Sequence, residues 1–247
     1  MEEELTVVRK ACLSLNLEQH AISSILQLYK DARKVLPLDI SFYGSLIAGT
    51  KLCECGARIR DIINCVCYHI EHTIHYNIDT YFDKRDFGVA AEESLLSAIR
   101  FEIYKYRAQE HYILLINLAY ALKLPPQALQ LAWSLLNESF MIPEIDLGFY
   151  PDMVGAVLDL AITAIKEIRA EECYKTHQSF IGIGCDESSD LTNMNELKAR
   201  WEMVKNIQNN WWKDFGFNEL LLNEALAIVS RRVETAAKTG ILDIENS

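Results

Sequence analysis

The residues best suited to chemistry form one group of cysteines and histidines, namely Cys53, Cys55, Cys65, Cys67, His69, His72 and His75. Thiolates and imidazoles are the ligands that zinc prefers in proteins. The spacing argues against a shared metal, because Cys65 and Cys67 lie two residues apart on a predicted helix and point to nearly opposite sides. His72 could pair with His69 or with His75 on the helix surface, so a two-histidine site stays conceivable. We expect buried thiols beside an exposed polar face, and no metal.

Other signatures of catalysis are missing from the sequence. It has no glycine-rich phosphate loop, nucleophile-elbow serine, metalloprotease helix or calcium-binding loop. With 35 Asp and Glu residues, carboxylate pairs arise by chance on helices, so no particular pair indicates acid–base chemistry. Trp211 and Trp212, with Phe215 and Phe217, could line a ligand pocket, but aromatic residues at the start of a closing helix are more typical of a core. We expect no catalytic residue, no cofactor and no enzymatic activity.

The charge balance argues against a further class of function. The chain has 24 Lys and Arg against 35 Asp and Glu, a net charge of −11, and no basic block. Direct nucleic-acid binding is not expected, because it depends on cations that neutralise phosphates. No run reaches about 18 apolar residues, and the acidic start at Met1–Glu4 is unlike a signal peptide, so we expect a protein of the nucleus or cytoplasm with no membrane partner. The 7 cysteines are expected to be free thiols.

The composition favours an all-α fold. The chain is 50% hydrophobic, enough for a core, and its 10 Gly and 5 Pro are too few for the turns of an all-β fold. Asn16 is placed to cap the second helix, and Gly56 to end the third in a left-handed conformation. The third helix contains Gly44, Ala48 and Gly49, so we expect it to be the buried central helix. Apolar residues at helical spacing predict helices at 5–15, 21–35, 40–52, 58–70 and 89–99.

The second half of the sequence repeats this plan. Residues 17–31 can be laid over 124–138 at an offset of 107, and residues 45–51 over 160–166 at an offset of 115. The similarity is weak, but the order of a short helix, a second helix and a buried helix of small residues recurs at matching spacing. The corresponding helices are predicted at 111–122, from Pro125 onwards and at 150–168. The sequence therefore predicts a tandem helical duplication.

A polar stretch interrupts the second repeat. Residues 169–210 include a run of Gly, Asp, Glu, Ser and Asn without an apolar period, which indicates an insertion with a short helix at 195–204. The last long helix is predicted at 220–233. We predict two domains, at 1–104 and at 105–247, and the insertion lies in the second.

Several runs resemble the cyclin family. The most specific is SFYGSLIAGTKLCECGARIRDIINCVCY at 41–68, which is similar to the first cyclin box, particularly that of the transcriptional cyclins of the L, K, T and Q types. Residues 91–104 and 111–118 resemble the end of the first box and the opening of the second. Further similarity lies at 132–139, where Ala-Trp precedes Asn-Glu-Ser, and at 211–215, Trp-Trp-Lys-Asp-Phe. Together these runs cover most of the chain outside the insertion.

The resemblance implies a tandem pair of five-helix cyclin boxes. It also implies a non-catalytic regulatory subunit that binds and activates a cyclin-dependent Ser/Thr kinase in transcription or RNA processing, in the nucleus, with the cytoplasm as a further location. In the family, a lysine that ends the third helix and a glutamate on the fifth contact the kinase. The matching residues here are Lys51 and Glu92, with Glu93 as the register alternative. Apolar contacts with the kinase are implied at Leu52, Leu96, Phe101 and Ile103.

Three departures from the family pattern are present. Cys53 stands where an acidic residue is common, Gly56 where proline is usual, and Gln109-Glu110 where transcriptional cyclins carry His-Pro. None of them removes an implied kinase contact. The substrate-docking patch of the mitotic cyclins has no counterpart in this sequence, which favours transcription over the cell cycle.

Other functions stay open at this point. A cell-cycle cyclin is the nearest alternative. A tandem cyclin-fold transcription factor that binds DNA is opposed by the acidic charge and by the absence of a zinc ribbon sequence. A scaffold that has lost its kinase face is disfavoured by the retention of Lys51 and Glu92, and an all-α enzyme is the most remote possibility.

Overall fold

The described part of the chain is mostly helical. The computed structural model describes residues 1–58, 61–62, 64–66, 68–69, 84–145, 150–167 and 199–239. No strand occurs among them, which confirms the all-α class. The α-helices are α1 at Glu2–Ser14, α2 at Gln19–Arg33, α3 at Leu38–Leu52, α4 at Lys84–Ala98, α5 at Gln109–Ala121, α6 at Pro126–Ser139, α7 at Tyr150–Glu167 and α8 at Glu219–Thr239, with 3₁₀ helices at Ile103–Tyr106 and Trp211–Phe215.

Two predicted segments are described only in part. The described residues between 61 and 69 are helical, in agreement with the helix predicted at 58–70. Of the predicted insertion, residues 169–198 lie outside the described residues. Residues 199–205 are helical, and Trp201 within them is buried.

The chain divides into two compact units. Unit 1 comprises Met1–Tyr112 and Asn137–Gly148, and unit 2 comprises Ile113–Leu136 and Phe149–Ser247. The chain therefore passes from unit 1 to unit 2 within α5 and returns to unit 1 within α6. The domain boundary between residues 104 and 105 stays a prediction.

Helix α3 is the centre of unit 1, as its small residues predicted. All residues of 41–50 are buried, and α3 packs against both α2 and α4. Gly44 permits the contact with α4, because a Cβ atom there would lie 2.7 Å from the carbonyl oxygen of Ala91. Gly49 permits the contact with α2, because a Cβ atom there would collide with Ile25. These two glycines thus set the spacing that places the end of α3 beside α4.

Within the described ranges, four helices end on a residue other than glycine in the left-handed conformation. In each case its N–H donates to the carbonyl three residues back, and the next N–H donates to the carbonyl five residues back, which is the Schellman arrangement. The residues are Asn16 after α1, Glu54 after α3, Arg100 after α4 and Lys123 after α5.

These helix ends correct two predictions. Asn16 ends α1 instead of capping α2, whose N-cap residue is Glu18 and makes no side-chain capping bond. Glu54, with a φ of 54°, takes the left-handed position after α3 that was predicted for Gly56. The buried stripe of α3 stops at Leu52, so the left-handed position is set by where that stripe ends and not by the nearest glycine.

The pairs α1–α2 and α5–α6 repeat in register. Adding 107 to the bounds of α1, residues 2 and 14, gives residues 109 and 121, the bounds of α5. Adding it to residue 19, the start of α2, gives residue 126, the start of α6. The Glu18 and Pro125 carbonyls, separated by the same offset, accept the first backbone hydrogen bonds of the helices that follow. These two helix pairs therefore share the offset of 107 found between residues 17–31 and 124–138.

The last three residues of α6, which belong to unit 1, make polar contacts within that unit. The Tyr112 hydroxyl donates to Asn137 Oδ1 at 2.7 Å, and its oxygen lies 2.8 Å from Ser23 Oγ. Arg9 Nη1 pairs with Glu138 Oε1 at 2.9 Å. Asn137 and Glu138, from the run at 132–139, therefore attach the end of α6 to α1, α2 and α5.

A buried cation holds the turn after α6. Lys30 lies on α2 and is 2% exposed. Its Nζ atom donates to the backbone carbonyls of Ile142 and Ile145, both at 3.1 Å. Because an ammonium group must find acceptors when it leaves water, these carbonyls fix the path of the turn against α2.

In unit 2, as in unit 1, a glycine permits the close contact of two helices. Helix α7 packs against α8, and a Cβ atom on Gly155 would lie 2.8 Å from Leu222 Cδ1. Trp211 and Trp212 are 4% and 7% exposed, as expected for core aromatic residues, whereas Phe215 is 41% exposed. Helix α8 has 21 residues, and neither it nor any other described helix is both long and apolar enough to cross a membrane.

Candidate functional site

Lys51 and Glu92 form an ion pair between α3 and α4. Lys51 Nζ lies 2.6 Å from Glu92 Oε2, and the two side chains are 56% and 15% exposed. Lys51 is the penultimate residue of α3, where a cation complements the negative end of the helix dipole. The register alternative, Glu93, is exposed. The pair therefore presents an accessible cation whose position is fixed by a largely buried carboxylate.

The four apolar residues implied by the resemblance differ in exposure. Leu52 is 9% exposed and belongs to the core cluster of unit 1, and Leu96 and Ile103 are partly buried against that cluster. Phe101 is 68% exposed. The core thus brings Leu52, Leu96 and Ile103 together, and Phe101 is the one of the four that is presented to solvent. The cluster comprises Leu28, Ala32, Ala48, Leu52, Leu95, Ile99 and Tyr106.

The backbone that presents Phe101 is strained. Arg100 and Phe101 have φ values of 54° and 61°, so two consecutive residues with side chains occupy the left-handed region. Each such residue costs about 1 kcal/mol. The Phe101 N–H donates to the Leu96 carbonyl at 2.7 Å, which closes the end of α4. A strained segment that exposes a large aromatic ring is typical of a functional site.

Helix α4 exposes a further apolar residue next to the ion pair. Val89 is the first residue of the helix predicted at 89–99, and its side chain is 47% exposed. It precedes Glu92 by three residues and Leu96 by seven, so the three side chains share one face of α4. This helical spacing is the signal that could have assigned Val89 to the surface beside Lys51.

Tyr104 was not identified from the sequence. It lies in the 3₁₀ helix that follows Phe101, and its side chain is 69% exposed. The Arg107 guanidinium carbon lies 5.1 Å from the centre of its ring, a cation–π contact. No sequence pattern marks this residue, because a single tyrosine in a short irregular segment has no period. We refer to Lys51, Val89, Glu92, Phe101 and Tyr104 as the α3–α4 surface.

The corresponding lysine of unit 2 is placed differently. Lys166 aligns with Lys51 in the sequence repeat and is likewise the penultimate residue of its helix, α7. Its Nζ atom donates to the Ile207 carbonyl at 2.8 Å and to Asn209 Oδ1 at 3.3 Å. Lys166 therefore stabilises a turn of its own unit, whereas Lys51 projects into solvent.

The thiols do not form a metal site within the described part of the chain. Cys12, Cys53, Cys55 and Cys65 are free, and burial raises the pKa of each above its ordinary value. No group of three or more His, Cys, Asp or Glu residues that could hold a metal occurs among the described residues. Cys67, His72 and His75 lie outside those residues, so the two-histidine hypothesis stays a hypothesis.

No family model matches the chain, and no curated protein sequence is significantly similar to it. The cyclin interpretation therefore depends on the similarity of the runs at 41–68, 91–104, 111–118, 132–139 and 211–215 and on the geometry of the α3–α4 surface. The internal repeat is a property of the chain itself and is independent of these comparisons.

Proposed function

We propose that the chain is a cyclin-like regulatory subunit that binds and activates a cyclin-dependent Ser/Thr kinase. It acts in transcription or RNA processing, in the nucleus, and has no catalytic activity of its own. The observation that carries the proposal is the Lys51–Glu92 pair, whose Nζ and Oε2 atoms lie 2.6 Å apart. These residues occupy the positions at which the resemblance puts the lysine and glutamate that contact the kinase.

The internal repeat supports a tandem pair of five-helix boxes. Helices α1 and α5 have matching bounds at an offset of 107, and so do the starts of α2 and α6. In each unit a buried helix, α3 or α7, contains a glycine, Gly44 or Gly155, where a Cβ atom would collide with α4 or α8. A duplicated five-helix module accounts for both observations.

The chemistry of the α3–α4 surface suits a protein partner. Phe101, Tyr104 and Val89 are exposed apolar anchors, and exposed aromatic residues supply much of the affinity in protein interfaces. Lys51 adds a charge that fixes register and favours an acidic group on the partner. The unit 2 lysine, Lys166, is bonded within its own unit, which supports unit 1 as the kinase-binding part.

A rigid helical surface can activate a kinase without taking part in the chemistry. The kinase needs its Lys–Glu ion pair assembled before it can position ATP. A partner that binds only the conformation in which that pair is formed shifts the equilibrium towards it. The close packing of α3 against α4 through Gly44 keeps Lys51 and Glu92 in fixed positions for such selective binding.

The proposal is tested by kinase activity. The full chain is mixed with individual cyclin-dependent kinases, and phosphorylation of an RNA polymerase II tail peptide is measured. We expect activation by at least one kinase, reduced about tenfold or more by Lys51→Ala and by Glu92→Ala, because each change removes one member of a fixed charged pair. Glu93→Ala and Lys34→Ala, at exposed positions outside the pair, serve as matched controls and should retain activation.

The variant Phe101→Gly distinguishes a loss of kinase binding from a loss of folding. Glycine accepts the left-handed backbone at residue 101, so this variant should remain stable while it loses the aromatic anchor and with it kinase activation. Activation of no kinase by the wild-type chain would contradict the proposal and favour a scaffold. Stronger phosphorylation of a histone peptide than of the polymerase peptide would favour the cell-cycle alternative, and salt-dependent DNA binding would favour a transcription factor.

A further inference from the structure

Helix α5 exposes an apolar face. Ile113, Ile116 and Tyr120 are 49%, 44% and 85% exposed. Their spacing of three and four residues aligns them in one stripe along the helix, opposite the buried side chains of Leu115 and Leu118. A helix normally turns its large apolar residues towards the core, so an apolar stripe on the solvent side indicates a partner. We refer to Ile113, Ile116, Asn117 and Tyr120 as the α5 face.

The internal repeat shows that the fold does not need isoleucine at these positions. Helix α1 corresponds to α5 at the offset of 107, and the residues of α1 that match Ile113 and Ile116 are Thr6 and Arg9. Thr6 is exposed and Arg9 is partly exposed, so the same side of the helix faces outwards in both repeats. Because α1 forms with polar residues there, the two isoleucines of α5 are better explained by a contact with another molecule.

The α5 face is symmetric about the point midway between residues 116 and 117. Ile113 and Tyr120 lie at equal distances along the chain from this point. Glu110 at the start of α5 and Lys123 just beyond its end do so as well, and both are exposed. When a two-fold axis relates two antiparallel helices, residues at equal distances from the axis lie opposite each other. Two copies of α5 would therefore pair Ile113 with Tyr120. They would also pair Glu110 with Lys123, and each contact would occur twice.

The polar residues of α5 favour an antiparallel pair of copies. In a parallel pair, Glu110 would face glutamate and Lys123 would face lysine, whereas the antiparallel pair brings opposite charges together at both ends. Asn117 lies beside Ile116 at the centre, and an asparagine in an apolar seam fixes the register because its amide group needs a polar partner. The charges that complement the α5 face are thus supplied by a second copy of the same helix.

We propose that the α5 face is an interface between two copies of this chain, in which the two α5 helices pack antiparallel about a two-fold axis. Helix α5 has 13 residues and is about 20 Å long. A contact between two such helices is smaller than the roughly 1,200–2,000 Å² of a stable interface, so the dimer is weak, with a Kd of about 10–100 µM. The α5 face shares no residue with the α3–α4 surface, so the dimer would stand if the proposed function were wrong.

Sedimentation equilibrium of the full chain tests the proposal. The protein is measured from about 5 to about 300 µM, a range that brackets the expected Kd, with a reductant because its described cysteines are free thiols. We expect the mass to rise with concentration from the 28.3 kDa of one chain towards that of a dimer. Ile113→Glu should weaken association at least tenfold, because it places a carboxylate against the Tyr120 ring of the other copy. Thr6→Glu, at the matching position of α1, is the control and should leave association unchanged.

Charge reversal tests the antiparallel register. Glu110→Lys and Lys123→Glu each place like charges opposite each other at both ends of the dimer, so each variant should associate about fivefold more weakly than the wild type. A general effect of net charge would instead move the two variants in opposite directions, because one becomes less negative and the other more negative. The double variant has the wild-type net charge and restores both pairs, so it should associate within about twofold of the wild type. Circular dichroism and thermal unfolding check that each variant is folded.

Three results would overturn the proposal. One is a wild-type chain that stays monomeric over the whole concentration range, which would leave the α5 face to a different protein. Another is a dimer that the folded Ile113→Glu variant forms as readily as the wild type, since the interface would then lie elsewhere. The third is a double variant that associates no better than the two single variants, because the antiparallel pairing of Glu110 with Lys123 requires its recovery.

Discussion

Asn16 and Lys123 end corresponding helices in the same left-handed conformation, each with a φ of 52°. They lie 107 residues apart, and each is followed by a residue whose N–H closes the helix with a bond to the carbonyl five residues back. The backbone of this turn is therefore the same in both repeats, whereas the side chains differ. Asparagine tolerates the left-handed region better than lysine does, so the two positions carry different strain.

Glycine at these positions should reveal that difference. We predict that Lys123→Gly raises the free energy of unfolding by about 1 kcal/mol and the melting temperature by about 2–4 °C, because glycine has no Cβ to strain. Asn16→Gly should raise the free energy of unfolding by less than half as much. Both side chains are exposed, and neither makes a hydrogen bond or ion pair with another described side chain, so the difference in the free energy of unfolding, measured by urea denaturation, reflects chiefly the backbone. Equal effects, or destabilisation by Lys123→Gly, would contradict this account.

The spacing of α3 and α4 should be sensitive to a single methyl group. In Gly44→Ala the new Cβ would lie 2.7 Å from the backbone oxygen of Ala91, and a backbone atom cannot move aside as a side chain can. We predict a loss of about 2 kcal/mol in the free energy of unfolding, after the gain in helix propensity of about 1 kcal/mol is included.

Gly56→Ala is the control for this effect. A Cβ atom at residue 56 would meet nothing within 4 Å, so the free energy of unfolding should change by less than about 0.5 kcal/mol. Gly155→Ala should fall between the two, because the nearest atom, Leu222 Cδ1, is the end of a side chain that can rotate. A Gly44→Ala variant as stable as the wild type would show that the two helices can separate without cost.

The sequence predicted where the helices form more accurately than where they end. Small residues at Gly44, Ala48 and Gly49 correctly identified α3 as central, because small side chains inside an apolar helix have few explanations other than close neighbours. The end of α3 was misplaced, since the left-handed position is held by Glu54. A glutamate in that conformation carries no sequence signal, because glutamate, unlike glycine or asparagine, has no preference for the left-handed region.

The site was predictable only through a resemblance. Spacing alone did not bring Lys51 and Glu92 together, because 41 residues separate them and their contact is created by the packing of α3 on α4. The different exposures of Leu52 and Phe101 were not predictable either. Both are large apolar residues near a helix end. Leu52 is buried because it lies in the core cluster of unit 1, whereas Phe101 is exposed by the strained backbone at residues 100 and 101.

The buried cation on α2 should contribute strongly to the stability of unit 1. Lys30→Met keeps most of the side-chain volume but removes the bonds from Nζ to the carbonyls of Ile142 and Ile145. We predict a loss of about 2–4 kcal/mol in the free energy of unfolding, because two buried acceptors lose a charged donor. Lys34→Met, at a lysine that is 52% exposed and bonds Asp31, is the control and should change it by less than about 0.5 kcal/mol. Urea denaturation would contradict the prediction if the two variants were equally stable.

His111 should make the stability of the protein depend on pH. Its ring lies beside Phe140, with 6.3 Å between the ring centres, and burial lowers the pKa of His111 from 6.5 to about 4. Between these values the imidazole is neutral in the folded chain and protonated in the unfolded chain, so unfolding takes up a proton. The stabilisation is therefore complete above about pH 6.5 and is lost as the pH falls towards 4.

The variant His111→Gln isolates this contribution, because glutamine is neutral throughout and other groups titrate alike in both proteins. We predict that the wild type loses up to about 2 kcal/mol more than His111→Gln in the free energy of unfolding between pH 7.5 and pH 5. Urea denaturation at several pH values in this range measures the difference. If the free energy of unfolding fell by the same amount in the wild type and in His111→Gln, the folded chain would protonate His111 as readily as the unfolded chain does. A larger fall in the wild type would show that the folded chain keeps this ring, at the start of α5, in its neutral form.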